Sequence, residues 1–415
     1  MREVCVIGGG VVGVSSAWYL AEAGFKVSLL ERAATVGTGA SYLNGGQLSY
    51  RYVAPLADAG VPAKALGWLM DRDGPLRFRP SFDMDQWIWL MRFLQRCHGQ
   101  ANRETTAKLA RLGELSKASI GALINEHQLP DFDWKEAGKL VVYRTESIFR
   151  KAVRSTGTHP EQQVFNAAEC LQAEPVLASL ADRLQGGIYT RDEAVADCQG
   201  FCLALMSKLR QHPNFAGMIN DEATGFRHNP HGRLVLQTRS GHHEAESYVL
   251  AAGIQSRHLA RSLGLRLPIY PLKGYSLTAP INGVHTPPAA SITDFERKIL
   301  YARIGDRLRI AAMVDLVGED ERIDPARIDT LMRQARADMP LAGDYGRAIP
   351  WAGLRPATPD GAPIVGKTPV PGLWFNLGHG PLGFTFATGT ARILAAEMLG
   401  KPSPLADDSF TWKNH

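Results

Sequence analysis

The segment REVCVIGGGVVGVSSAWYLAEAGFKVSLLER, residues 2–32, constrains the fold more than any other part of the chain. A short apolar run over 4–7 predicts a buried strand, and a tight glycine turn follows it. Residues 12–23 predict a helix that ends at Gly24, and a second apolar run predicts a strand that ends at Glu31. A strand, glycine turn, helix and strand in this order indicate a doubly wound α/β domain.

The glycines of this turn have the spacing G-x-G-x-x-G, with Gly8, Gly10 and Gly13. The first permits the tight turn, the second lets the backbone approach a pyrophosphate, and the third lets helix and strand pack closely. The helix N-terminus offers unpaired N–H groups to phosphates. Glu31, about 20 residues downstream, is placed to accept hydrogen bonds from a ribose. The pattern predicts a dinucleotide site, NAD or FAD, with contacts from Ile7, Gly8, Gly10, Val11, Val12, Gly13, Glu31 and Arg32.

Two later glycine-rich segments favour FAD over NAD. The segment ESYVLAAGIQS (246–256) predicts a strand that ends at Ala251, Ala252 and Gly253, similar to the second FAD-contact strand of glutathione-reductase-like flavoproteins. The segment at 372–400 predicts a strand, a glycine-rich loop and a helix from about Phe384, whose N-terminal dipole favours negative charge on a reduced flavin. An NAD dehydrogenase does not need this last element. The expected contacts are Ala252, Gly253, Gly378, His379, Gly380, Leu382, Gly383, Phe384 and Thr385.

Composition narrows the class of protein. The chain has 415 residues, so two domains are expected, and 45% hydrophobic with 21% charged residues is typical of a globular protein. The net charge of +5 is mild, and the absence of a basic block argues against a nucleic-acid partner. Five cysteines without a C-x-x-C pair indicate a reducing compartment and buried thiols, with no metal site expected. The apolar start lacks a signal peptide's basic region, and no run reaches the roughly 18 apolar residues of a membrane span.

At this point the chain resembles a known family over nearly its whole length. It is similar to FAD-dependent D-amino acid dehydrogenases of the small-subunit type, within the superfamily of D-amino acid oxidase, glycine oxidase and sarcosine oxidase. The motifs that carry the resemblance are GGGVVGVSSAWYLAEAG, NGGQLSYRYVAPLADAGVPAKALGWL, GKLVVYRT, YPLKGYSLTAPI, WAGLRPATPDGAPIVG and GHGPLGFT. The second and fourth motifs are specific to this family, and the others are shared across the superfamily.

The resemblance implies a two-domain α/β architecture. A glutathione-reductase-like FAD-binding domain of Rossmann type is expected from 1–50, 192–267 and 346–415. A mixed-sheet α+β substrate domain is expected from 51–191 and 268–345. Ala223, in a strand before TGFRH, is expected near the adenine. The loop SYLNGGQLS is expected to wrap the flavin through Ser41, Asn44, Gly45, Gly46 and Gln47. The histidine or cysteine that some relatives link to flavin is missing at these places, so noncovalent FAD is implied.

Arg355 is the residue expected to bind the substrate. It lies in the stiff segment WAGLRPATPDGAPIVG, with no acidic residue within four positions. In the superfamily the corresponding arginine holds the substrate carboxylate, a task that suits the planar guanidinium. A structural arginine is the alternative. Tyr275, Tyr301 and, more weakly, Tyr52 are possible helpers in catalysis, and half-buried sheet tyrosines are the alternative.

The resemblance implies hydride transfer from an amino acid Cα to flavin N5, followed by hydrolysis of the imine to a 2-oxo acid and ammonia. The superfamily achieves this reaction largely by positioning the substrate against the flavin, so no general base is assigned. The implied acceptor is a membrane quinone. Relatives that oxidise D-proline or D-hydroxyproline look alike, so the D-amino acid substrate stays open. The alternatives are a glycine or sarcosine oxidase that uses O₂, and a non-catalytic FAD-binding subunit of a heteromeric dehydrogenase.

One segment, 64–97, bears on cellular location. It interleaves Trp and Leu residues with the basic residues Lys64, Arg72, Arg77, Arg79, Arg92 and Arg96. Arg92 and Arg96 are like charges at i, i+4, which is mildly unfavourable without an anionic surface. The alternative is a domain helix, capped by Asp83 or Asp85, with its apolar residues in the core, namely Trp87, Leu90, Met91 and Leu94. The expected location is the cytoplasmic side, with peripheral contact to the bacterial inner membrane as the open question.

Overall fold

The computed structural model describes residues 2–71, 73–156, 160–407 and 409–412. The strands are β1 (Glu3–Ile7), β2 (Lys26–Glu31), β3 (Gln47–Leu48), β4 (Leu76–Phe78), β5 (Lys139–Tyr143), β6 (Gln162–Asn166), β7 (Gly186–Thr190), β8 (Ala194–Val195), β9 (Phe215–Asn220), β10 (Ala223–His228), β11 (Leu234–Thr238), β12 (Gly241–His243), β13 (Ser247–Leu250), β14 (Tyr270–Pro280), β15 (Ser291–Asp294), β16 (Ile299–Ile304), β17 (Arg307–Leu316), β18 (Ile349–Ala357), β19 (Ile364–Lys367) and β20 (Leu373–Leu377). The helices are α1 (Val11–Glu22), α2 (Val61–Met70), α3 (Met84–Arg96), α4 (Gly99–Asn125), α5 (Glu146–Thr156), α6 (Ala167–Ala173), α7 (Cys198–Leu209), α8 (Ser256–Arg261), α9 (Pro325–Asp338) and α10 (Gly383–Met398).

The first layer is a six-stranded sheet in the order β19-β20-β13-β1-β2-β9. Its strands run parallel except for β19, which pairs antiparallel with β20. Helix α1 connects β1 to β2 and packs on α7 and α10, so its side chains are buried on nearly all sides. A three-stranded antiparallel sheet, β10-β11-β12, lies beside it. This arrangement confirms the predicted doubly wound domain.

The second layer is a nine-stranded mixed sheet in the order β18-β14-β17-β16-β15-β5-β7-β6, with β4 paired to β17. Two pairings are parallel, β5 with β15 and β4 with β17, and the others are antiparallel. One face of this sheet packs on α9 in a core that contains Leu277, Ile310 and Leu331. The mixed sheet of the predicted second domain is thereby confirmed.

The position of β18 corrects the sequence-based expectation for Arg355. The sequence predicts that residues 346–415 belong to the FAD-binding domain, but β18 pairs with β14 along the substrate sheet. Arg355 therefore lies in a strand, opposite Leu272, and not on a loop. The prolines of this segment are tolerated because β18 is the edge strand of its sheet, where a missing N–H breaks no essential ladder bond.

Within the described ranges, every helix is too short or too polar to cross a bilayer.

Candidate active site

A cavity of about 1860 Å³ extends from the glycine turn after β1 to the second sheet. Ordinary ligand pockets enclose roughly 300–1,000 Å³, so this cavity has room for a large cofactor and a further small molecule. Most residues expected at the cofactor line it, namely Ile7, Gly8, Gly10, Val11, Val12, Glu31, Arg32, Ser41, Asn44, Gly45, Gly46, Gln47, Ala223, Ala252, Gly253, Gly378, His379, Gly380, Leu382, Gly383 and Phe384.

The glycine turn is built for close backbone approach. Gly8 has φ +109, and a Cβ on it would lie 2.7 Å from the Ala251 carbonyl oxygen. A Cβ on Gly13 would lie 1.8 Å from the Gly8 carbonyl oxygen. Gly13 does not line the cavity, so its role is the predicted packing of α1 against β1.

Glu31 ends β2 with its carboxylate fixed at the cavity wall. Its Oε2 accepts a hydrogen bond from the Gly9 N–H (2.6 Å), and its Oε1 accepts one from the Ala33 N–H (2.9 Å). At the start of α1, the Val11 N–H donates to Ser41 Oγ (3.0 Å). The carboxylate keeps lone pairs for a ribose hydroxyl, because each oxygen can accept a second bond.

Strand β20 and the loop before α10 form the other end of the cofactor region. Asn376 lines the cavity and is fully buried, and its Oδ1 has no hydrogen-bond partner. Helix α10 begins at Gly383 without a side-chain cap, so its first N–H groups remain available. Thr385 Oγ1 accepts from the Ser49 N–H (3.2 Å), which joins α10 to the loop around Gln47. Buried donors and acceptors without partners, beside glycines, suit the polar edge of a flat ring.

His379 is held as a neutral imidazole. It is buried, and burial lowers its pKa to about 3. Its Nε2 lies 2.9 Å from Thr390 Oγ1. This agrees with the expectation that His379 is a neighbour of the cofactor and not a base.

Arg355 extends from β18 across the second sheet into the cavity. Its Nη1 donates to the Met313 carbonyl oxygen (3.0 Å), and its guanidinium lies over Gly274. Burial lowers the pKa of Arg355 to about 10, and Asp315 opposes this shift. Asp315 itself pairs with Arg327 (2.5 Å). None of the ion pairs among the described residues includes Arg355, so the guanidinium can bind an incoming carboxylate.

The three tyrosines differ in position. Tyr301 does not line the cavity: it is 1% exposed in the core beside α9, and its hydroxyl donates to Asp338 (3.2 Å). Tyr275 borders the cavity, but its ring lies in the same core and its hydroxyl donates to Asp315 (3.1 Å). Both hydroxyls are bonded to carboxylates of the core, which favours the sheet-tyrosine alternative for Tyr275 and Tyr301. Burial raises the pKa of both groups, so they stay protonated.

Tyr52, the weakest of the three candidates, is half-buried and also lines the cavity. Thr190 Oγ1 donates to its hydroxyl at 3.4 Å, and burial raises its pKa to about 12. The ring centroid lies 4.6 Å from Lys139 Nζ. Lys139 is not among the site residues predicted from the sequence. A lysine directly before the apolar run LVVY is nevertheless a signal for a buried charge. Gly274 and Asn376 were also missed.

The segment 64–97 forms part of α2, β4 and α3. Asp83 caps α3 as predicted and accepts from the Asp85 N–H (3.0 Å). Three residues of α3 that the alternative places in the core are exposed instead: Trp87 (43%), Met91 (55%) and Leu94 (49%). The buried residues of α3 are instead Gln86 and Trp89.

The basic residues of this segment are partly engaged within the chain. Arg77 pairs with Asp324, and Arg79 lies 3.5 Å from Asp320. Arg72 lies outside the described residues.

Comparisons with known proteins agree with this geometry. Residues 3–397 match the family model described as FAD dependent oxidoreductase, abbreviated DAO. The chain is 48% identical to D-amino acid dehydrogenase 2 of Pseudomonas aeruginosa PAO1, covering 98% of this chain and 97% of that protein. It is 43% identical to D-amino acid dehydrogenase 2 of Ralstonia nicotianae, covering 97% of each. The glycine oxidase structure from Geobacillus kaustophilus has a TM-score of 0.76 at 22% identity, covering 100% of both chains.

Proposed function

This chain belongs to the DAO family of FAD-dependent oxidoreductases, and on that basis we propose that it catalyses the oxidative deamination of D-amino acids to 2-oxo acids and ammonia. The predicted family, enzyme class and FAD cofactor are confirmed by the family match and by the D-amino acid dehydrogenases it resembles. The observation that carries the substrate proposal is Arg355, a guanidinium in the cavity wall outside all ion pairs among the described residues.

The described residues of the cavity fit FAD. Glu31 and the glycine turn would hold the ribose and pyrophosphate, and the 44–47 and 376–385 loops would hold the ring. When bound, FAD supplies a two-electron acceptor for the oxidation. We propose that it is bound noncovalently, so acid precipitation should release all yellow colour into the supernatant. Colour retained by the precipitate would contradict this.

The protein's part in the reaction is to position the substrate. Arg355 would pair with both carboxylate oxygens, which fixes the Cα against the cofactor side of the cavity. His379, Tyr52 and Tyr275 are poor bases near neutral pH: a pKa of about 3 makes His379 a weak proton acceptor, and the raised pKa values of both tyrosines keep them protonated. The substrate amine would therefore enter the reaction neutral.

The proposed class of substrate is tested by anaerobic flavin reduction. D-amino acids, including D-proline, should bleach the flavin absorbance, while L-amino acids should not. Reduction by glycine or sarcosine alone would support the oxidase alternative, as would rapid peroxide formation in air. Flavin that no amino acid reduces would support the non-catalytic subunit.

We also propose a quinone as electron acceptor and peripheral contact with a membrane. The support is the apolar part of the cavity, lined by Trp68, Phe78, Trp89, Phe93 and Leu94. Leu94 is both a lining residue and 49% exposed, so this part of the cavity reaches the surface of α3. Reduced enzyme should be reoxidised faster by a short-chain ubiquinone than by O₂ at equal concentration. The opposite order would contradict the quinone proposal.

A further inference from the structure

We propose that the cavity contains a side-chain subsite in which Lys139 selects substrates whose side chain ends in a carboxylate. The subsite, called here the lysine lobe, is lined by Tyr52, Lys139, Tyr143, Gln162, Ile188 and Phe295. It belongs to the same cavity as Arg355. This inference rests on the proposed function and names the class of amino acid that the site prefers, of which D-glutamate is the test case.

The lysine lobe is formed by one face of β5. Side chains alternate along a strand, so Lys139, Val141 and Tyr143 share a face. Val141 and Tyr143 pack with Tyr52 and Phe295, whereas Leu140 and Val142 lie in the core on the other face. Lys139 is therefore on the face of the sheet that lines the cavity, and it is 6% exposed.

The ammonium group of Lys139 has fewer partners than it can use. Its Nζ donates to Ser49 Oγ (2.8 Å), and none of the ion pairs among the described residues includes it. An ammonium has three N–H donors, so two remain for a ligand. Burial lowers the pKa of Lys139 to about 8, with Glu193 opposing the shift. A buried cation without a bonded carboxylate is costly, and a ligand carboxylate would remove that cost.

Glu193 is the nearest competing explanation for the buried lysine. Its two oxygens accept from the Tyr50 N–H (3.1 Å) and the Arg51 N–H (3.0 Å). The carboxylate thus has its own backbone partners, and the Ser49 hydroxyl links it to Lys139 Nζ, so the two charged groups are bridged and not in direct contact. Glu193 balances the charge of Lys139 at longer range but does not use its free N–H groups.

The other charged residues that line this part of the cavity are less deeply buried than Lys139. Lys151, Lys298 and Asp58 are exposed residues, although Lys298 Nζ lies 3.8 Å from the Phe295 ring centroid and burial lowers the pKa of Lys298. Glu296 is half-buried: its Oε1 accepts from the Arg144 N–H (3.1 Å), and its Oε2 is buried without a hydrogen-bond partner. Exposed charges are screened by water and salt. Lys139, the least exposed of these cations, is therefore the group that we assign to an acidic side chain.

D-glutamate and D-glutamine provide the sharpest test, because they differ in charge and scarcely in shape. The kcat/KM ratio of D-glutamate to D-glutamine should be well above 1 in the wild type. It should fall by about tenfold or more in Lys139→Met and recover partly in Lys139→Arg, since a charged pocket loses its preference with its charge. Lys401→Met, at an exposed position, should keep the wild-type ratio. A wild-type ratio of 1 or less overturns the inference, as does an equal loss for both substrates, which would indicate a structural or general-base role.

A binding measurement separates this inference from the proposed function. Glutarate carries two carboxylates but no amine to oxidise, and butyrate carries one carboxylate. By calorimetry on the FAD-loaded protein, glutarate should bind at least about tenfold more tightly than butyrate, and Lys139→Met should abolish the difference. Equal affinities in the wild type would overturn the inference even if D-amino acids are oxidised. If no D-amino acid reduces the flavin, the proposed function fails, while the glutarate result still decides whether Lys139 binds a second carboxylate.

Discussion

The guanidinium of Arg355 lies directly over Gly274 of the neighbouring strand. A Cβ added to Gly274 would lie 2.1 Å from Arg355 Nη2 and 2.2 Å from its Cζ. The guanidinium can occupy this place only because Gly274 has no side chain, and from there it reaches the Met313 carbonyl oxygen at 3.0 Å. Gly274 thus fixes the position of the arginine that we propose as the carboxylate site.

Gly274→Ala should therefore displace Arg355 without unfolding the protein, because a guanidinium at the end of a flexible side chain can move. We expect kcat/KM for D-amino acids to fall by about 10- to 100-fold, as small misplacements in an active site do. FAD content should stay near the wild-type level. The matched control is Gly283→Ala, where an added Cβ meets nothing within 4 Å. Equal kinetics of Gly274→Ala and wild type would contradict the positioning role.

Glu31→Ala should weaken FAD binding. The carboxylate would lose its bonds to the ribose and also those to the Gly9 and Ala33 N–H groups. A hydrogen bond to a charged group contributes about 1.5–3 kcal/mol, which corresponds to a rise in Kd of roughly 10- to 150-fold. Fluorescence titration of the apoprotein with FAD measures this. Glu244→Ala, at an exposed position outside the cavity, is the control, and an unchanged Kd in Glu31→Ala would remove the ribose assignment.

The cofactor region could be predicted from sequence because local rules determine it. The turn after β1 needs a φ of +109, which favours a glycine, and the sequence has Gly8 there. Glycines likewise mark the loop before α10, a helix that begins at Gly383 without a side-chain cap. No such local signal shows which side of the sheet each tyrosine faces. Strand β14 is buried on both faces, so alternation shows that Tyr275 and Ser276 point to opposite sides but not which side faces the cofactor. The pairing of β14 with the distant strands β17 and β18 decides which side faces the cofactor. The same pairing places Arg355 in a strand.

The preference for an acidic side chain should depend on pH. Lys139 has a pKa of about 8, lowered by burial and raised again by Glu193, so it is protonated below pH 8 and neutral above. Ser49 and Tyr52, the other groups in contact with it, stay uncharged in this range. The kcat/KM ratio of D-glutamate to D-glutamine should therefore fall as the pH rises through about 8, and the ratio cancels the titration of the shared α-amine. A pH-independent ratio would argue against a charged Lys139 in binding.

The apolar surface of α3 should contribute to membrane contact. Trp87 and Met91 are one helical turn apart and exposed, with the lining residue Leu94 beside them. Trp87→Ser with Met91→Ser removes apolar side chains that contribute about 1.5–3 kcal/mol each when fully buried, so binding to anionic vesicles should fall at least about tenfold. The control is Val284→Ser with Leu341→Ser, which are exposed elsewhere. Co-sedimentation that is equal in all three proteins would contradict the proposed surface.

The apolar residues on this surface of α3 have a spacing that predicts a core position, which differs from their observed exposure. Trp87, Met91 and Leu94 follow the i, i+4, i+7 spacing of a buried helix face, and the sequence therefore predicts a core position. The structure instead buries Gln86 and Trp89, whose Nε1 donates to the Ala357 carbonyl oxygen (2.8 Å). A periodic pattern gives the apolar face of a helix but not what covers it.

Arg355→Met removes the guanidinium that we propose binds the substrate carboxylate, and anaerobic stopped-flow reduction of the FAD-loaded variant measures the effect. We expect kcat/KM for D-amino acids to fall by about 150-fold or more, from a loss of ~3 kcal/mol of transition-state stabilisation, with FAD content unchanged. Arg355→Lys should keep the charge and lose the bidentate geometry, giving an intermediate value. A D-amino amide, which lacks the carboxylate, should react slowly with the wild type and be affected far less by either substitution. Flavin reduction in Arg355→Met at the wild-type rate and the wild-type D-amino acid concentration would show that Arg355 does not bind the substrate carboxylate.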